Sequence, residues 1–264
     1  MTKNDTSKLS KTKAAWQEVR SFTYIILFAL CIRIFIFEPF HIPSGSMRKS
    51  LIEGDYVFST KYNYGFSKHS FLVSPNIFSG RIFAKMPERG DIIIFRPPHM
   101  MEIRYIKRLV GLPGEKVEIK KGVVYINDIP LKQEFKQEYV EDEMGFKDYT
   151  EVLPSGYKYT VRYIDPAKSP ALYASHLKRA NNAGPFYVPA DHFFFMGDNR
   201  DQSGDSRFEL GYVPFENLIS KTQFVFFSFE KNLILDDWFS FKQIKQILEW
   251  ISSFRFVRFI GKVD

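Results

Sequence analysis

The stretch HIPSGSMRKSL, residues 41–51, places Ser44 and Ser46 on either side of a single glycine. A serine that attacks a carbonyl group needs a base to accept its proton and hydrogen-bond donors to hold the resulting oxyanion. Gly45 has no side chain, so the backbone can bring both hydroxyl groups towards one carbonyl. The stretch therefore indicates nucleophilic chemistry, provided that a base lies nearby in the fold.

Histidine is the usual base of a hydrolytic serine, and the chain has five of them, at His41, His69, His99, His176 and His192. Neither the serines nor the histidines lie in a G-x-S-x-G turn or in another recognisable triad motif. Triads are defined by geometry and not by sequence order, so the missing motif disfavours a Ser-His-Asp site without excluding it.

Two lysines compete as the alternative base. Ser46 and Lys49 have the S-x-x-K spacing of penicillin-binding proteins and class A β-lactamases, but the companion motifs S-D-N and K-T-G are missing. A lysine base must be neutral, which requires a pKa about 3 units below its ordinary value and hence burial among apolar groups. Lys107, in RYIKRLVGLPGE, is expected on one strand face with Tyr105 and Leu109. A solvated lysine on a polar strand face is the plainer alternative.

The stretch MGDNRDQSGDSR, residues 196–207, brings several aspartates and arginines together. The aspartates do not follow the order of an EF-hand loop, and Arg200 and Arg207 are poor neighbours for a cation. We therefore expect no metal, and the proposed chemistry needs no organic cofactor. A loop of Asp–Arg pairs and hydroxyl side chains is suited to orienting a neighbouring lysine.

An apolar run from Phe22 to Phe40 precedes the serines, and Arg33 and Glu38 are its only charged residues. A helix of about 19 residues covers about 28 Å, close to the roughly 30 Å hydrocarbon core of a bilayer. Before the run, five basic residues outnumber two acidic ones, which predicts a cytoplasmic N-terminus. We predict a cytoplasmic segment over residues 1–20 and one transmembrane helix over residues 21–40, with a buried core helix as the alternative.

The rest of the chain predicts a mainly β fold. Its aromatic content, with 28 Phe and 14 Tyr, favours strands. Strands are expected at residues 56–61, 91–96, 104–110, 116–120, 123–127, 158–164, 192–196 and 222–229. We predict an antiparallel β-sheet catalytic domain over residues 41–130 and 190–230, with a more polar inserted subdomain over residues 131–189. A C-terminal amphipathic segment over residues 231–264 carries an apolar stripe of Phe241, Ile244, Ile247, Leu248, Ile251 and Phe254.

The net charge limits the classes of binding partner, and the cysteine content limits the possible disulfide bonds. The net charge of +7 suits nucleic acid or anionic lipid. No zinc-finger spacing or RNP-like motif accompanies the charge, so membrane lipid is preferred and no nucleic acid is expected. Cys31 is the only cysteine, which excludes an internal disulfide. Nothing in the sequence indicates an oligomeric state.

Five ordered elements resemble the successive motifs of bacterial type I signal peptidase, namely the N-terminal apolar run, IPSGSM, RGDIIIF, YIKRLVGLPGE and GDNRDQSGDSR. This family removes signal peptides from exported preproteins. The resemblance extends from about residue 20 to Phe229 and is weakest in the inserted region. It implies a β-rich catalytic domain on the periplasmic or extracytoplasmic face of the bacterial inner membrane, with a single-pass anchor and signal-peptide-bearing preproteins as substrates.

The resemblance also implies a Ser-Lys dyad, in which Ser46 matches the nucleophile and Lys107 the general base. Ser44 matches the residue whose hydroxyl joins the Ser46 backbone N–H in the oxyanion hole. No metal or cofactor takes part in this chemistry.

Four further positions match supporting residues of the family. Ser203 matches the hydroxyl that positions the lysine amine, and Asp205 and Arg207 match a supporting ion pair. Tyr105 matches a residue of the apolar wall.

The chain departs from the family where SGSM is followed by Arg48-Lys49-Ser50-Leu51, since the family commonly has x-Pro-Thr-Leu there. Without the fixed φ of a proline, the turn after Ser46 is less constrained by the sequence. Two other functions stay open. A self-cleaving Ser-Lys repressor shares the dyad, but the anchor and the missing DNA-binding pattern argue against it. A catalytically inactive, membrane-anchored β module that only binds exported chains is not excluded.

Overall fold

The computed structural model describes residues 3–71, 74–76, 78–230, 247 and 249–263. The helices and strands, in chain order, are α1 (Lys3–Phe35), β1 (Phe37–His41), β2 (Asp55–Thr60), β3 (Ile92–Phe95), β4 (Tyr105–Gly111), β5 (Lys116–Lys120), β6 (Val123–Ile126), β7 (Ile129–Pro130), β8 (Lys132–Glu141), β9 (Met144–Val152), β10 (Lys158–Ile164), α2 (Ala174–Ala180), β11 (Asn182–Tyr187), β12 (His192–Met196), β13 (Val213–Pro214), β14 (Leu218–Ser228) and β15 (Gly261–Lys262). The strands pair antiparallel, which confirms the predicted mainly β, antiparallel fold.

The apolar run before the serines is divided between a helix and a strand. α1 ends at Phe35, and the chain enters β1, which pairs with β2 along its whole length. The helix predicted to residue 40 is therefore wrong at its end. Pro39 has no amide proton for a helical hydrogen bond, whereas it is tolerated in an edge strand such as β1.

A transmembrane helix over residues 21–40 is not supported. No helix among the described residues has both the length and the apolarity that crossing a membrane requires.

The large sheet has the strand order β1-β2-β14-β3-β4-β12-β13, and β15 also pairs with β14. Its centre is buried on both faces, since all four residues of β3 are buried and β4 is buried from Ile106 onwards. β4 lies between β3 and β12, with Lys107 opposite Ile93 and Arg108 opposite Met196. Lys107 and Arg108 are thus consecutive residues of a central strand and point to opposite faces of the sheet.

Two smaller sheets complete the β structure, with the orders β10-β9-β8 and β11-β5-β6-β7. Their apolar side chains share one core with the large sheet, because Val110 of β4 and Phe194 of β12 belong to the same cluster as Val117, Val124 and Val161. The strands β8, β9 and β10 lie within residues 131–189, and the division into a catalytic domain and an insert stays a prediction.

All eight predicted strands are present among the described residues. β5, β10 and β12 coincide with their predicted ranges, and β2, β3, β4, β6 and β14 differ only at their ends. No strand is predicted over β8, because its sequence, KQEFKQEYVE, is polar, yet it is a strand of ten residues. Most of its side chains are exposed or half-buried, so no apolar alternation marks it.

The C-terminal amphipathic segment is described only in part, and Phe241, Ile244 and Leu248 of its stripe lie outside the described residues. Within the described part, Trp250 stacks on Phe229 with ring centroids 4.0 Å apart, and Phe254 packs on the same ring at 5.3 Å. The segment therefore contacts the end of β14, while Ile251 is exposed.

Candidate active site

A cleft of about 700 Å³ lies between the 3-10 turn Gly45–Met47 and the start of β4. Its lining combines apolar, polar and charged residues, namely Pro43, Ser44, Gly45, Ser46, Arg48, Glu53, Ile103, Arg104, Tyr105, Ile106, Lys107, Asn199, Gln202 and Gly204. The predicted nucleophile and the predicted base therefore line one cleft.

The 3-10 turn holds Ser46 from two sides. Met47 is fully buried in the core cluster that also contains Ile42 and Leu51, and this packing anchors the turn to the core. From the side, the Asn199 backbone N–H donates to the Ser46 carbonyl oxygen at 3.1 Å, and Asn199 Nδ2 donates to the Gly45 carbonyl oxygen at 3.0 Å. The loop after β12 thus positions the backbone of the predicted nucleophile.

Lys107 contacts Ser46 directly, because a hydrogen bond joins Lys107 Nζ to Ser46 Oγ. Both side chains are buried, with 4% of Lys107 and 8% of Ser46 exposed. The Lys107 ammonium also lies 5.5 Å from the centre of the Tyr105 ring, which forms part of the cleft wall. The two residues are far apart in sequence, and the central strand β4 brings them together.

Burial lowers the pKa of Lys107 to about 8. The carboxylates of Asp205 and Asp198 act in the opposite direction, and the charge of Arg207 lowers the pKa further. Desolvation dominates because the side chain lies on a buried strand, and the neutral amine is the form that can accept a proton.

Asp205 and Arg207 form a buried ion pair beside this lysine. Arg207 donates from Nε to Asp205 Oδ1 at 2.9 Å and from Nη2 to Oδ2 at 2.8 Å. The Gly197 backbone N–H donates to Asp205 Oδ2 at 3.0 Å. Burial alone would raise the pKa of Asp205, but the charge and hydrogen bonds of Arg207 hold it below its ordinary value.

Ser203 lies near the site, but its hydroxyl makes no hydrogen bond in this structure, although it is buried. The contact to Lys107 that the family resemblance implies is thus not formed here, since the Lys107 ammonium bonds Ser46 instead. The Ser203 side chain instead packs against Gly197, where a Cβ atom would lie 2.5 Å from Ser203 Cβ and 2.5 Å from the Ser46 carbonyl oxygen.

Ser44 is exposed in the cleft, one residue before the turn, and its side chain makes no capping hydrogen bond to the turn. Its hydroxyl is therefore available to a group that enters the cleft.

The sequence reasoning missed Arg108, which supports the site from the other face of the sheet. Arg108 and Asp198 form two hydrogen bonds, and the Ser50 hydroxyl donates to Asp198 Oδ2 at 2.6 Å. Ser50 stands where the family commonly has threonine, so its hydroxyl links the turn to this pair. The sequence YIKR could have identified Arg108. Strand alternation places Arg108 on the face opposite to Lys107, and in a buried strand that face lies inside the protein. A buried guanidinium requires an acidic partner.

A second missed pair joins β9 to the loop after β12. Arg200 donates to Glu151 of β9 at 2.9 Å through Nη1, and both side chains are almost fully buried. Arg200 also accepts a hydrogen bond at its carbonyl oxygen from Arg207. Glu151 lies in a polar stretch without a recognisable motif, so no sequence signal identified it.

The competing candidates lie elsewhere. Lys49 Nζ forms an ion pair with Asp148 Oδ2 of β9 at 2.6 Å. No histidine hydrogen-bonds Ser46 in the part of the chain that the structure describes; His176, for example, contacts the Asp201 carbonyl oxygen at 2.8 Å. The described site therefore pairs Ser46 with Lys107 and with neither of the alternatives.

The sequence of the chain is similar to those of known proteins. The family model described as signal peptidase, peptidase S26, matches residues 15–227. Signal peptidase I of Rickettsia massiliae (strain Mtu5) is 44% identical over 257 residues, which cover 96% of this chain and 95% of that protein. Signal peptidase I of Rickettsia typhi (strain ATCC VR-144 / Wilmington) is 45% identical over the same shares of both chains.

A crystal structure of a signal peptidase I from Enterococcus faecalis V583 is also similar, with 28% identity over 52% of this chain and 97% of that one. The TM-score is 0.29, so this match adds nothing to the assignment. The family assignment rests on the family model and on the Rickettsia relatives, because both span most of the chain. The chain belongs to the signal peptidase family, peptidase S26, and is a serine peptidase of the bacterial signal peptidase I type.

Proposed function

We propose that Ser46 is the nucleophile and Lys107 the general base of a Ser-Lys dyad that cleaves signal peptides from exported preproteins. One observation carries the proposal: Lys107 Nζ and Ser46 Oγ share a hydrogen bond in a site where both side chains are more than nine-tenths buried. The pKa of about 8 supports it, because a substantial share of Lys107 is then neutral at slightly alkaline pH.

In the acylation step, neutral Lys107 accepts the proton of the Ser46 hydroxyl as Ser46 Oγ attacks the scissile carbonyl carbon. The resulting oxyanion is held by the Ser46 backbone N–H and the Ser44 hydroxyl. The Lys107 ammonium then gives its proton to the leaving amine, and the mature chain departs with a new N-terminus. The signal peptide stays attached to Ser46 as an ester.

Deacylation uses the same lysine. A water molecule gives a proton to Lys107 and attacks the ester carbonyl, and the Ser46 oxygen leaves with the proton that the lysine returns. Lys107 is neutral at the start of each half-reaction, so burial of its amine is a requirement for both.

The remaining predicted residues act through this dyad. Asp205 and Arg207 hold the Gly197 region beside Ser46, and we propose that Ser203 orients the lysine amine once a substrate displaces the Ser46 contact. Tyr105 contributes to an apolar wall that accepts the small side chains before the scissile bond.

We also propose that α1 attaches the enzyme to the bacterial membrane, with the catalytic domain on the side where exported chains emerge. Eight large apolar side chains of α1 are more than half exposed, namely Trp16, Val19, Phe22, Tyr24, Ile25, Ile26, Leu27 and Phe28. An exposed apolar surface of this extent marks an interaction site. Flotation of the full chain with liposomes tests this: Ile25→Lys with Phe28→Lys should weaken binding, and unchanged flotation would contradict it.

The dyad is tested by cleavage of a purified preprotein. Ser46→Ala and Lys107→Ala should both abolish cleavage, whereas Lys49→Ala should retain readily measurable activity because Lys49 pairs with Asp148. Circular dichroism spectra and unfolding curves of all three variants control for loss of fold. An active Lys107→Ala beside an inactive Lys49→Ala would overturn the assignment, and an active Ser46→Ala would exclude Ser46 as the nucleophile.

A further inference from the structure

The turn after Ser46 has an unusual backbone at Lys49, where φ is +127°. This value lies in the region that L-residues with side chains rarely adopt, so the conformation costs free energy and persists only where neighbouring contacts impose it. A proline cannot adopt it, because its ring fixes φ near −65°. The turn therefore differs from one built on the x-Pro-Thr-Leu pattern, and something else must hold it.

Three backbone hydrogen bonds close the turn, and none of them involves the Lys49 side chain. The N–H groups of Arg48, Ser50 and Leu51 donate to carbonyl oxygens at 3.0, 3.1 and 2.9 Å. Ser50 is fixed through its hydroxyl to Asp198. Between these points, the side chain of Lys49 extends towards the three-stranded sheet β10-β9-β8, which we call the inserted sheet.

Its anchor is Asp148 of β9, whose side chain is 1% exposed. Lys49 Nζ lies 2.6 Å from Asp148 Oδ2 and 4.7 Å from the centre of the Tyr139 ring. Asp148 is itself held by Gln137 Nε2, which donates to Oδ2 at 2.8 Å. A carboxylate that is buried and already fixed provides a rigid attachment point for the ammonium group.

We propose that the Lys49–Asp148 ion pair positions the nucleophile, by tying the turn after Ser46 to β9 of the inserted sheet. The pair takes the place of the conformational restriction that a proline would supply. In this role Lys49 is a positioning residue: it acts on the direction in which Ser46 Oγ faces Lys107 and not on any proton. The proposal rests on the proposed function, because it presumes that Ser46 and Lys107 carry the reaction.

Through this ion pair the inserted sheet also contributes to the position of the site residues. β9 holds the turn through Asp148, and it holds the loop after β12 through the contact of Glu151 with Arg200. Two parts of the site are thus attached to one strand, so their relative position depends on the insert. A small displacement of a nucleophile costs up to about a hundredfold in rate.

The experiment measures kcat and KM for a signal-peptide substrate with the full-length variants Lys49→Met, Asp148→Asn and the double variant. Each single substitution should lower kcat about tenfold and leave KM within about twofold, because substrate binding is not altered. The double variant should be no slower than the slower single one, since both remove the same contact. Lys49→Arg keeps the charge and should recover most of the kcat.

A matched control is Asp165→Asn, because Asp165 is a buried carboxylate that pairs with Lys147 at 3.1 Å within the same region of the chain. It should reduce stability without lowering kcat. The Lys49 side chain is 17% exposed, and methionine keeps most of its length. Lys49→Met therefore opens no large cavity and remains informative even where Asp148→Asn fails to fold.

Three results would overturn the proposal: wild-type kcat in Lys49→Met, independent losses that multiply in the double variant, or an equal loss of kcat in Asp165→Asn. Failure of the proposed function is distinguishable from these, because it would appear as cleavage by Ser46→Ala or Lys107→Ala.

Discussion

Arg108 and Asp198 are joined by two hydrogen bonds of 2.8 Å, from Nε to Oδ1 and from Nη2 to Oδ2, and both side chains are only 1% exposed. Arg108 also donates to the Gly90 carbonyl oxygen at 2.8 Å and to the Ser50 hydroxyl at 2.9 Å. The pair thus connects the strand that carries Lys107 to the turn that carries Ser46. The relative position of Ser46 and Lys107 therefore depends on this ion pair.

Asp198→Asn should lower the free energy of unfolding by about 3–5 kcal/mol, because it removes the carboxylate charge that two hydrogen bonds join to the buried Arg108 guanidinium. Urea denaturation at 25 °C measures the change. The exposed ion pair of Lys116 with Asp128 provides the control, and Lys116→Met should have no measurable effect. An Asp198→Asn midpoint equal to that of the wild type would show that the pair is not stabilising.

The pH dependence of cleavage should follow the neutral fraction of Lys107. Its pKa is about 8, so kcat/KM should fall about tenfold per unit below pH 8 and reach a plateau above pH 9. Initial rates with a peptide substrate between pH 6 and pH 9.5 measure this profile. A midpoint near 6.5 would indicate a histidine base, and a rate that still rises tenfold per unit at pH 9.5 would indicate a solvated lysine with a pKa of about 10.4.

Much of the fold follows from local patterns. β3 and β12 are runs of apolar and aromatic residues, and such runs predict buried strands regardless of their partners. Composition alone does not distinguish Lys107 from an exposed lysine. The prediction that Lys107 lies beside Ser46 depends on the order of the sequence motifs as well. Burial of the strand, and with it the low pKa of Lys107, is a property of the assembled sheet.

Other features could not be predicted because their partners are distant in sequence. β1 lies in an apolar run that suits a helix or a strand equally, and pairing with β2 decides between them. β8 is polar and is a strand only because β9 lies beside it. The ion pairs of Lys49 and of Arg200 with β9 join residues that share no motif.

Lys107→Met should increase stability at neutral pH. The pKa of Lys107 is about 8 in the folded protein and about 10.5 in the unfolded chain, so below pH 8 the folded state bears the full cost of a buried charge. This cost is about 3 kcal/mol, and loss of the Ser46 hydrogen bond offsets about 1 kcal/mol of it. We expect a net gain of about 2 kcal/mol at pH 7.

The gain should vanish as the pH rises from 8 towards 10.5, because the unfolded chain then loses its proton as well. Urea denaturation of wild type and variant at pH 7 and pH 10 measures both values. Lys107→Met must be inactive in the same preparation if Lys107 is the base. A variant that is less stable than wild type at pH 7 would show that the buried lysine stabilises the fold.

Ser44→Ala should lower kcat by about 10²- to 10³-fold, the usual effect of removing one oxyanion donor. The Ser44 side chain is exposed and makes no capping hydrogen bond, so the free energy of unfolding should stay unchanged. Steady-state kinetics and urea denaturation separate the two quantities. A kcat equal to that of the wild type would remove Ser44 from the oxyanion hole.

Gly197→Ala should damage both stability and catalysis, because the space beside Gly197 is already filled. A Cβ atom there would lie 2.5 Å from the Ser46 carbonyl oxygen and 2.5 Å from Ser203 Cβ, distances that real Cβ atoms do not show. The backbone of the nucleophile must therefore move. We expect a loss of about 1–3 kcal/mol in the free energy of unfolding, and a loss of about a hundredfold in kcat from a displacement of about 1 Å.

A second substitution separates the two contacts of Gly197. Ser203→Gly in the Gly197→Ala background removes the side-chain contact but leaves the Ser46 carbonyl oxygen in place. Stability should therefore recover in part, whereas kcat should stay low, because the nucleophile remains displaced. Urea denaturation and steady-state kinetics on the single and double variants measure both. Wild-type kcat in Gly197→Ala would show that the turn tolerates the added methyl group, and that the contact between Gly197 and Ser46 does not set the position of the nucleophile.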